Sequence, residues 1–291
     1  MTDPRGAAAP AERRGAPTPT PPVVTIRADD GAIGEIHRHG AHVTSWRPAG
    51  EGDERLYLSG RSGFEGTAAI RGGVPVIFPQ FAAEGPLPRH GFARTSQWSL
   101  GCVAREADGA AEAEFVLRDS DATHAVWNAS FKAVLAVTVI GRQLAISLQV
   151  ENTGDSSLTF TAALHTYLRV NDVGDVQIVG LRGTPYRVSG DRTLVIDDEE
   201  RLSVRGHLDR LYVGAPGRIE LREPGRSMIV EAEGFPDAVV WNPGSERAAA
   251  LDDLDPGGER RFVCIEAAVV QTPVTLGAGR RWSGSQTLTA H

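Results

Sequence analysis

Cysteine is scarce in this chain: Cys102 and Cys264 are the only two among 291 residues. Two thiols are too few for a disulfide framework, and no cysteine spacing matches a zinc ribbon. The simplest setting is a reducing one, so we expect a cytoplasmic protein. A basic excess is missing as well. The 30 lysines and arginines are outnumbered by 37 aspartates and glutamates, a formal charge of −7. That balance speaks against binding to a nucleic-acid backbone, which rests on basic patches. A small anion needs only two or three local arginines and stays open. No apolar run approaches the roughly 20 residues of a membrane span, so no membrane partner is expected. Helical periodicity is nearly absent. So are a Walker loop, a dinucleotide-binding glycine fingerprint and a serine nucleophile elbow.

What is present is alternation. Hydrophobic residues make up 41% of the chain, enough for a core without staples. Residues 1–22, rich in Ala, Pro, Arg and Gly, have almost nothing to bury and read as a disordered tail with no signal-peptide core. From residue 23 onward a period of two dominates. "VVTIRA", "AHVTSW" and "AEAEFVLR" read as strands. "FKAVLAVTVI" and "QLAISLQVEN" read as a hairpin turning at Gly141-Arg142. Leu135, Val137 and Val139 should share a face with Leu144, Ile146, Leu148 and Val150. "RIELREPGRSMIVEAE" predicts a second hairpin at Pro224-Gly225. Strands follow at "AVVWN" and "RFVCIEAAVV", and the tail "PVTLGAGRRWSGSQTLTA" reads as a final pair. Short helical turns fit Asp121–His124 or Glu199–Arg201. The fold class is all-β, a sandwich or barrel in one domain over residues 23–291.

Several residues could carry chemistry. "HRHGAH" places His37 and His39 two apart with His42 near, a spacing that can chelate. No third ligand is evident, so surface histidines are the better reading and no metal is expected. His165 ends the apolar strand "SLTFTAALH", facing the same way as Ala163 and Thr161. It is either a satisfied core histidine or a proton donor and acceptor near neutrality. Glu266 lies within "RFVCIEAAV". A carboxylate in a strand this apolar is costly unless paired or functional. Burial would sharpen it as a base, and a salt bridge to an arginine is the plain alternative. Asp209 in "HLDRLYV" is weak evidence alone. Arg71, Arg89 and Arg94 surround "IRGGVPVIFPQF". Their guanidinium forks match phosphate oxygens, and Gly72 and Gly73 would let a ligand come close. The same arginines could instead pair with acids. Trp46, Trp127, Trp241 and Trp282 offer stacking faces but are more often core, and at most one should reach a site.

"RGGVPVIFPQF", "LPRHGFAR", "ALHTYLRV", "HLDRLY", "FPDAVVWNP" and "FVCIEAA" occur in an order that resembles the glucose-6-phosphate 1-epimerase family. These are hexose-6-phosphate mutarotases of the aldose 1-epimerase superfamily. The resemblance runs from about residue 23 to the C-terminus. It implies a galactose-mutarotase-like β-supersandwich of antiparallel strands. It also implies interconversion of the α and β anomers of a hexose 6-phosphate by acid–base ring opening. His165 stands where the family keeps its catalytic histidine and Glu266 where it keeps its glutamate. Arg71 and Arg94 match the phosphate-site arginines, and Asp209 matches an acid that contacts the sugar. The resemblance requires no cofactor, and the expected partner is a small sugar phosphate bound by a monomer. Three departures stand out. Arg89 replaces a glutamine, Ala267-Ala268 follows Glu266 and should loosen the strand end, and Gly244 replaces a tryptophan. An epimerase for unphosphorylated aldoses and a non-catalytic carbohydrate-binding protein are the alternatives.

Overall fold

The hairpin read around Gly141 shows how the sequence builds this molecule. In the computed structural model, strands Phe131–Ile140 and Gln143–Asn152 pair with Leu135 opposite Leu148, Val137 opposite Ile146 and Val139 opposite Leu144. All six side chains are at most 1% exposed, because alternation sends every second residue to one face. The structure describes residues 22–50, 52–64, 66, 68–188 and 190–291. The expected tail lies outside the described residues except for Pro22, whose carbonyl accepts the Arg38 N–H at 2.9 Å.

Among the described residues three antiparallel sheets form. A nine-stranded sheet runs Leu202–Ser203, Gln177–Val179, Arg218–Glu223, Arg226–Glu233, Arg281–Ala290, Gln143–Asn152, Phe131–Ile140, Ala111–Arg118 and Ser99–Arg105. An eight-stranded sheet runs Val195–Ile196, Pro185–Arg187, Leu208–Tyr212, Asp237–Asn242, Phe262–Leu276, Leu158–Leu164 and Val76–Ile77, with Tyr167–Arg169 also paired to Phe262–Leu276. A three-stranded sheet holds Val23–Arg27, Ile33–His37 and His42–Arg47. All three contribute to one apolar core. The second predicted hairpin forms, with Arg218–Glu223 against Arg226–Glu233.

Some readings are corrected. The C-terminal tail is not a pair. Its first half continues the strand Phe262–Leu276, and its second half, Arg281–Ala290, joins the other large sheet. The strand end after Glu266 is not loosened. Ala267 and Ala268 are buried opposite Leu164 and Ala163, and the register shifts only beyond Val269. Asp121–His124 is helical behind a Ser120 capping box. Glu199–Arg201 is not, since the Asp197 side chain takes the Glu199 N–H at 3.0 Å and turns the chain locally. A short helix instead spans Gly244–Ala248.

Gly72 and Gly73 serve the protein rather than a ligand. Their φ angles are +110° and +58°. A Cβ on Gly72 would strike the Tyr57 carbonyl, and one on Gly73 the Val43 carbonyl and the His42 ring. The Gly73 N–H donates to Tyr57 at 2.6 Å, and its carbonyl accepts from Tyr167 at 2.9 Å. The pair thus locks this segment between two other stretches of chain and fixes where Arg71 emerges. We expect Gly73→Ala to destabilise the protein by about 2 kcal/mol or more, since left-handed backbone and overlap both penalise a side chain. Thermal unfolding would show a fall of several degrees, and an unchanged Tm would contradict this packing.

The histidines of "HRHGAH" do not gather around a metal position. His39 Nε2 bonds to the Ala68 carbonyl at 2.8 Å and His42 Nε2 to Gly72 at 2.7 Å. His37 stacks on Phe64 with ring centroids 4.6 Å apart. His39 and His42 are buried rather than superficial. Burial pushes the His42 pKa down to about 3, which keeps it neutral.

Candidate active site

The strand Phe262–Leu276 is buried on both faces from Phe262 to Val270. Val263, Ile265, Ala267 and Val269 point into the main core. Cys264, Ala268 and Val270 point the other way, into two smaller apolar clusters. Glu266 lies between Cys264 and Ala268 on that second face, because strand side chains alternate.

Sheet register then brings the partners together. Leu164 pairs with Ala267 and Tyr167 with Cys264. The intervening step leaves His165 level with Glu266. On the other side Glu266 pairs with Val239, Cys264 with Trp241, and Trp241 with Asp209. Residues from four chain segments therefore share two neighbouring rungs. His165 Nδ1 lies 3.2 Å from Glu266 Oε1. Tyr167 stacks on His165 at 4.9 Å with ring planes 10° apart, and Trp241 meets it edge-on at 5.7 Å. These rings hold the imidazole in place. Neither alternative offered by the sequence fits Glu266 or His165. Glu266 has no arginine partner among the described residues, and its Oε2 accepts no hydrogen bond. His165 Nδ1 is also unsatisfied, since the approach to Glu266 is close but poorly aligned. Unsatisfied buried polar atoms of this kind point to a role beyond stability.

A cavity of about 340 Å³ opens over this pair. Arg71, Arg89, Arg94 and Asp209 all line it together with His165 and Glu266. Of the four tryptophans considered, Trp241 alone lines it, while Trp46 is core and Trp127 and Trp282 pack on Phe160, Phe78 or Phe235. Gly244 is not part of the wall. A larger groove of about 650 Å³ lies beside the Ala111–Arg118 strand. It has no buried acid or base, so its size alone makes no site.

The arginines are held differently. Arg71 gives Nε to Asp253 at 3.2 Å and another nitrogen to the Tyr167 hydroxyl at 2.9 Å, with a third nitrogen 3.1 Å from Asp253. It both pairs with an acid and faces the cavity. Arg94 has no carboxylate in ion-pair reach among the described residues. Its one bond is to the Arg89 carbonyl at 3.2 Å, and its buried Nε has no partner. Arg89 is exposed at the rim.

Spacing gave no sign of two further residues. His90, inside the quoted "LPRHGFAR", lines the cavity with its ring 5.8 Å from His165. Its φ is +66°, a strained conformation typical of functional positions. Its Nδ1 accepts the Ala82 N–H at 3.3 Å, which leaves Nε2 as a donor. Asp253, in an ordinary acidic run, braces Arg71.

Burial sets the protonation. It raises the Glu266 pKa well above the usual carboxylate value, helped by Asp209. It lowers His165 well below an ordinary histidine, helped by His90, Arg71 and Arg94. It pushes His90 down to about 3, with the three arginines adding to the effect. Asp209 is raised by burial. The low-dielectric cavity thus favours a carboxylic acid beside a neutral imidazole, one proton within reach of both.

The all-β fold and this pair suit proton transfer to and from a ligand in the cavity, and comparison with known proteins supplies the class. The aldose 1-epimerase family model matches residues 22–289. The chain belongs to the aldose 1-epimerase family and is an epimerase that interconverts sugar anomers. A Cenchrus ciliaris protein named "Putative glucose-6-phosphate 1-epimerase" is 32% identical over 92% of this chain and 84% of its own. An Escherichia coli protein of the same name is 35% identical over 79% and 77%. The crystal structure of a "putative mutarotase (YeaD)" from Salmonella typhimurium superposes with a TM-score of 0.84 at 27% identity, covering 92% of this chain and 90% of that one. A galactose mutarotase-like protein from Lactobacillus casei, at 16% identity and a TM-score of 0.72 over 92% and 100%, shares the fold.

Proposed function

We propose that this epimerase acts on a hexose 6-phosphate, glucose 6-phosphate first, with His165 and Glu266 moving the protons and Arg94 and Arg71 holding the phosphate. The observation that carries the reading is a single cavity with a 3.2 Å acid–base pair in its wall and three arginines around it. The names of the relatives support the same substrate.

Ring opening needs a proton taken from the C1 hydroxyl and a proton given to the ring oxygen. Glu266 as carboxylate accepts the first, and His165 as imidazolium gives the second. The C1–C2 bond rotates in the open aldehyde, and closure reverses both transfers. Burial by itself favours the opposite placement of the shared proton, on Glu266. A bound phosphate dianion supplies the correction. It offsets the Arg71 and Arg94 charges that disfavour a charged His165, so the proton moves more readily to the imidazole. The neutral His90, donating through Nε2, and Asp209 orient the sugar hydroxyls. Binding energy from the remote phosphate positions the reacting end.

The two unpaired cysteines support placing the protein in the cytoplasm, and we read it as a monomer that binds no nucleic acid. No described helix is long and apolar enough to cross a membrane.

The test is NMR magnetisation exchange between the anomers of glucose 6-phosphate and of free glucose, with the uncatalysed rate subtracted. Acceleration confined to the phosphate supports the reading. Equal acceleration of both sugars would keep the chemistry and remove the phosphate site. The phosphate site would then give way to an epimerase for neutral aldoses, the second family reading. Carbohydrate binding alone is disfavoured because it needs no buried acid–base pair.

A further inference from the structure

A sulfur sits beside the acid–base pair. Cys264 is fully buried, two residues before Glu266 on the same face of its strand. It is a free thiol and forms none of the cavity wall. One ring nitrogen of His165, the Cys264 sulfur and one Glu266 oxygen all lie within 4.8 Å of one another. A zinc ion held at about 2.0–2.3 Å by nitrogen, oxygen and sulfur sets its tetrahedral ligands roughly 3.3–3.7 Å apart. No pair of the three side chains needs to close by more than about 1–1.5 Å to reach that geometry. Two of them carry buried polar atoms with no partner, His165 Nδ1 and Glu266 Oε2. Nitrogen, thiolate and carboxylate together suit soft or borderline divalent ions rather than magnesium or calcium.

We propose that His165, Cys264 and Glu266 form an inhibitory site for a thiophilic divalent cation of the zinc or cadmium type. On binding, the Cys264 thiol and the Glu266 carboxyl each release a proton to solvent, and lone pairs of the sulfur, a carboxylate oxygen and the neutral His165 ring nitrogen make the bonds to the ion. The ion occupies the lone pairs that His165 and Glu266 use for proton transfer, so turnover stops while the fold is kept. The metal site itself stands on the geometry. Its inhibitory effect rests on the proposed roles of His165 and Glu266.

The experiment titrates cadmium chloride into the full chain, free of thiols and chelators, and follows the ultraviolet thiolate–cadmium absorption. Anomer exchange is measured in the same samples. Wild type and Cys102→Ser should each show one saturable thiolate–cadmium site, and exchange should fall with the same stoichiometry and return on adding a chelator. Cys264→Ser should lose the absorption, and should keep exchange at cadmium levels at least about tenfold higher. Cys264→Ala serves equally if the serine variant is misfolded by circular dichroism. Glu266→Gln should weaken cadmium binding by about tenfold or more without removing the absorption. Absorption that survives loss of Cys264, or disappears with Cys102→Ser, would place the ion on the exposed thiol and overturn the proposal. No absorption in wild type would overturn it too. Failure of the epimerase reading looks different: exchange is absent everywhere, while the cadmium signal still depends on Cys264.

Discussion

Replacing Glu266 with glutamine is expected to cut anomer exchange by about 10²- to 10⁴-fold, the usual contribution of one positioned acid or base. The protein should stay folded. Glutamine matches the shape of glutamate, and the site it enters already disfavours charge. Burial raises the folded-state pKa of Glu266, so its contribution to stability is full at low pH and is lost as pH rises through that raised value. Glutamine does not titrate. The variant's Tm should therefore equal or exceed that of wild type at neutral pH, with the gap growing as pH rises. His165→Ala should lose activity by a similar factor. It also removes the ring that Tyr167 and Trp241 pack against, so its Tm should fall. A Glu266→Gln protein with full exchange activity would rule out the assigned base.

The second large effect concerns substrate choice. Arg94→Ala should raise KM for glucose 6-phosphate by about 10- to 100-fold, the equivalent of about 1.5–3 kcal/mol for hydrogen bonds to a charged group. Exchange of free glucose should change little, because Arg94 lacks a carboxylate partner and its Nε is unsatisfied. Arg71→Ala should hurt the phosphorylated sugar more. It removes a cation and also leaves the Asp253 carboxylate, now unpaired, at the anion site. The double variant Arg71→Ala with Asp253→Asn should recover part of that loss. Comparable losses on both sugars for Arg94→Ala would make the arginine structural and move the reading to neutral aldoses.

How much of this was legible beforehand varies by residue. His165 and Glu266 could be singled out because each interrupts an apolar strand, and a polar group there must be paired or used. Their contact could not be read, because it depends on pairing between strands about 100 residues apart in the chain. Arg71 and Arg94 were visible as forks near a constrained segment, but spacing could not show that one is braced by Asp253 and the other left open. His90 lies inside "LPRHGFAR", but nothing in the sequence marks it, since burial beside three arginines is a tertiary property. The glycines were seen correctly as marking close approach and wrongly as serving a ligand.

The sequence by itself determined the all-β class, the hairpins at Gly141 and Pro224-Gly225, and the inward faces of the long strands. These follow from period-two alternation and turn chemistry, which act over a few residues. Tertiary structure alone decided which sheet each late strand joins, that His165 stands level with Glu266, and that four segments share two rungs above a buried thiol. Those features arise when distant strands choose their register, and the choice is made by the packing of both faces of Phe262–Leu276 at once.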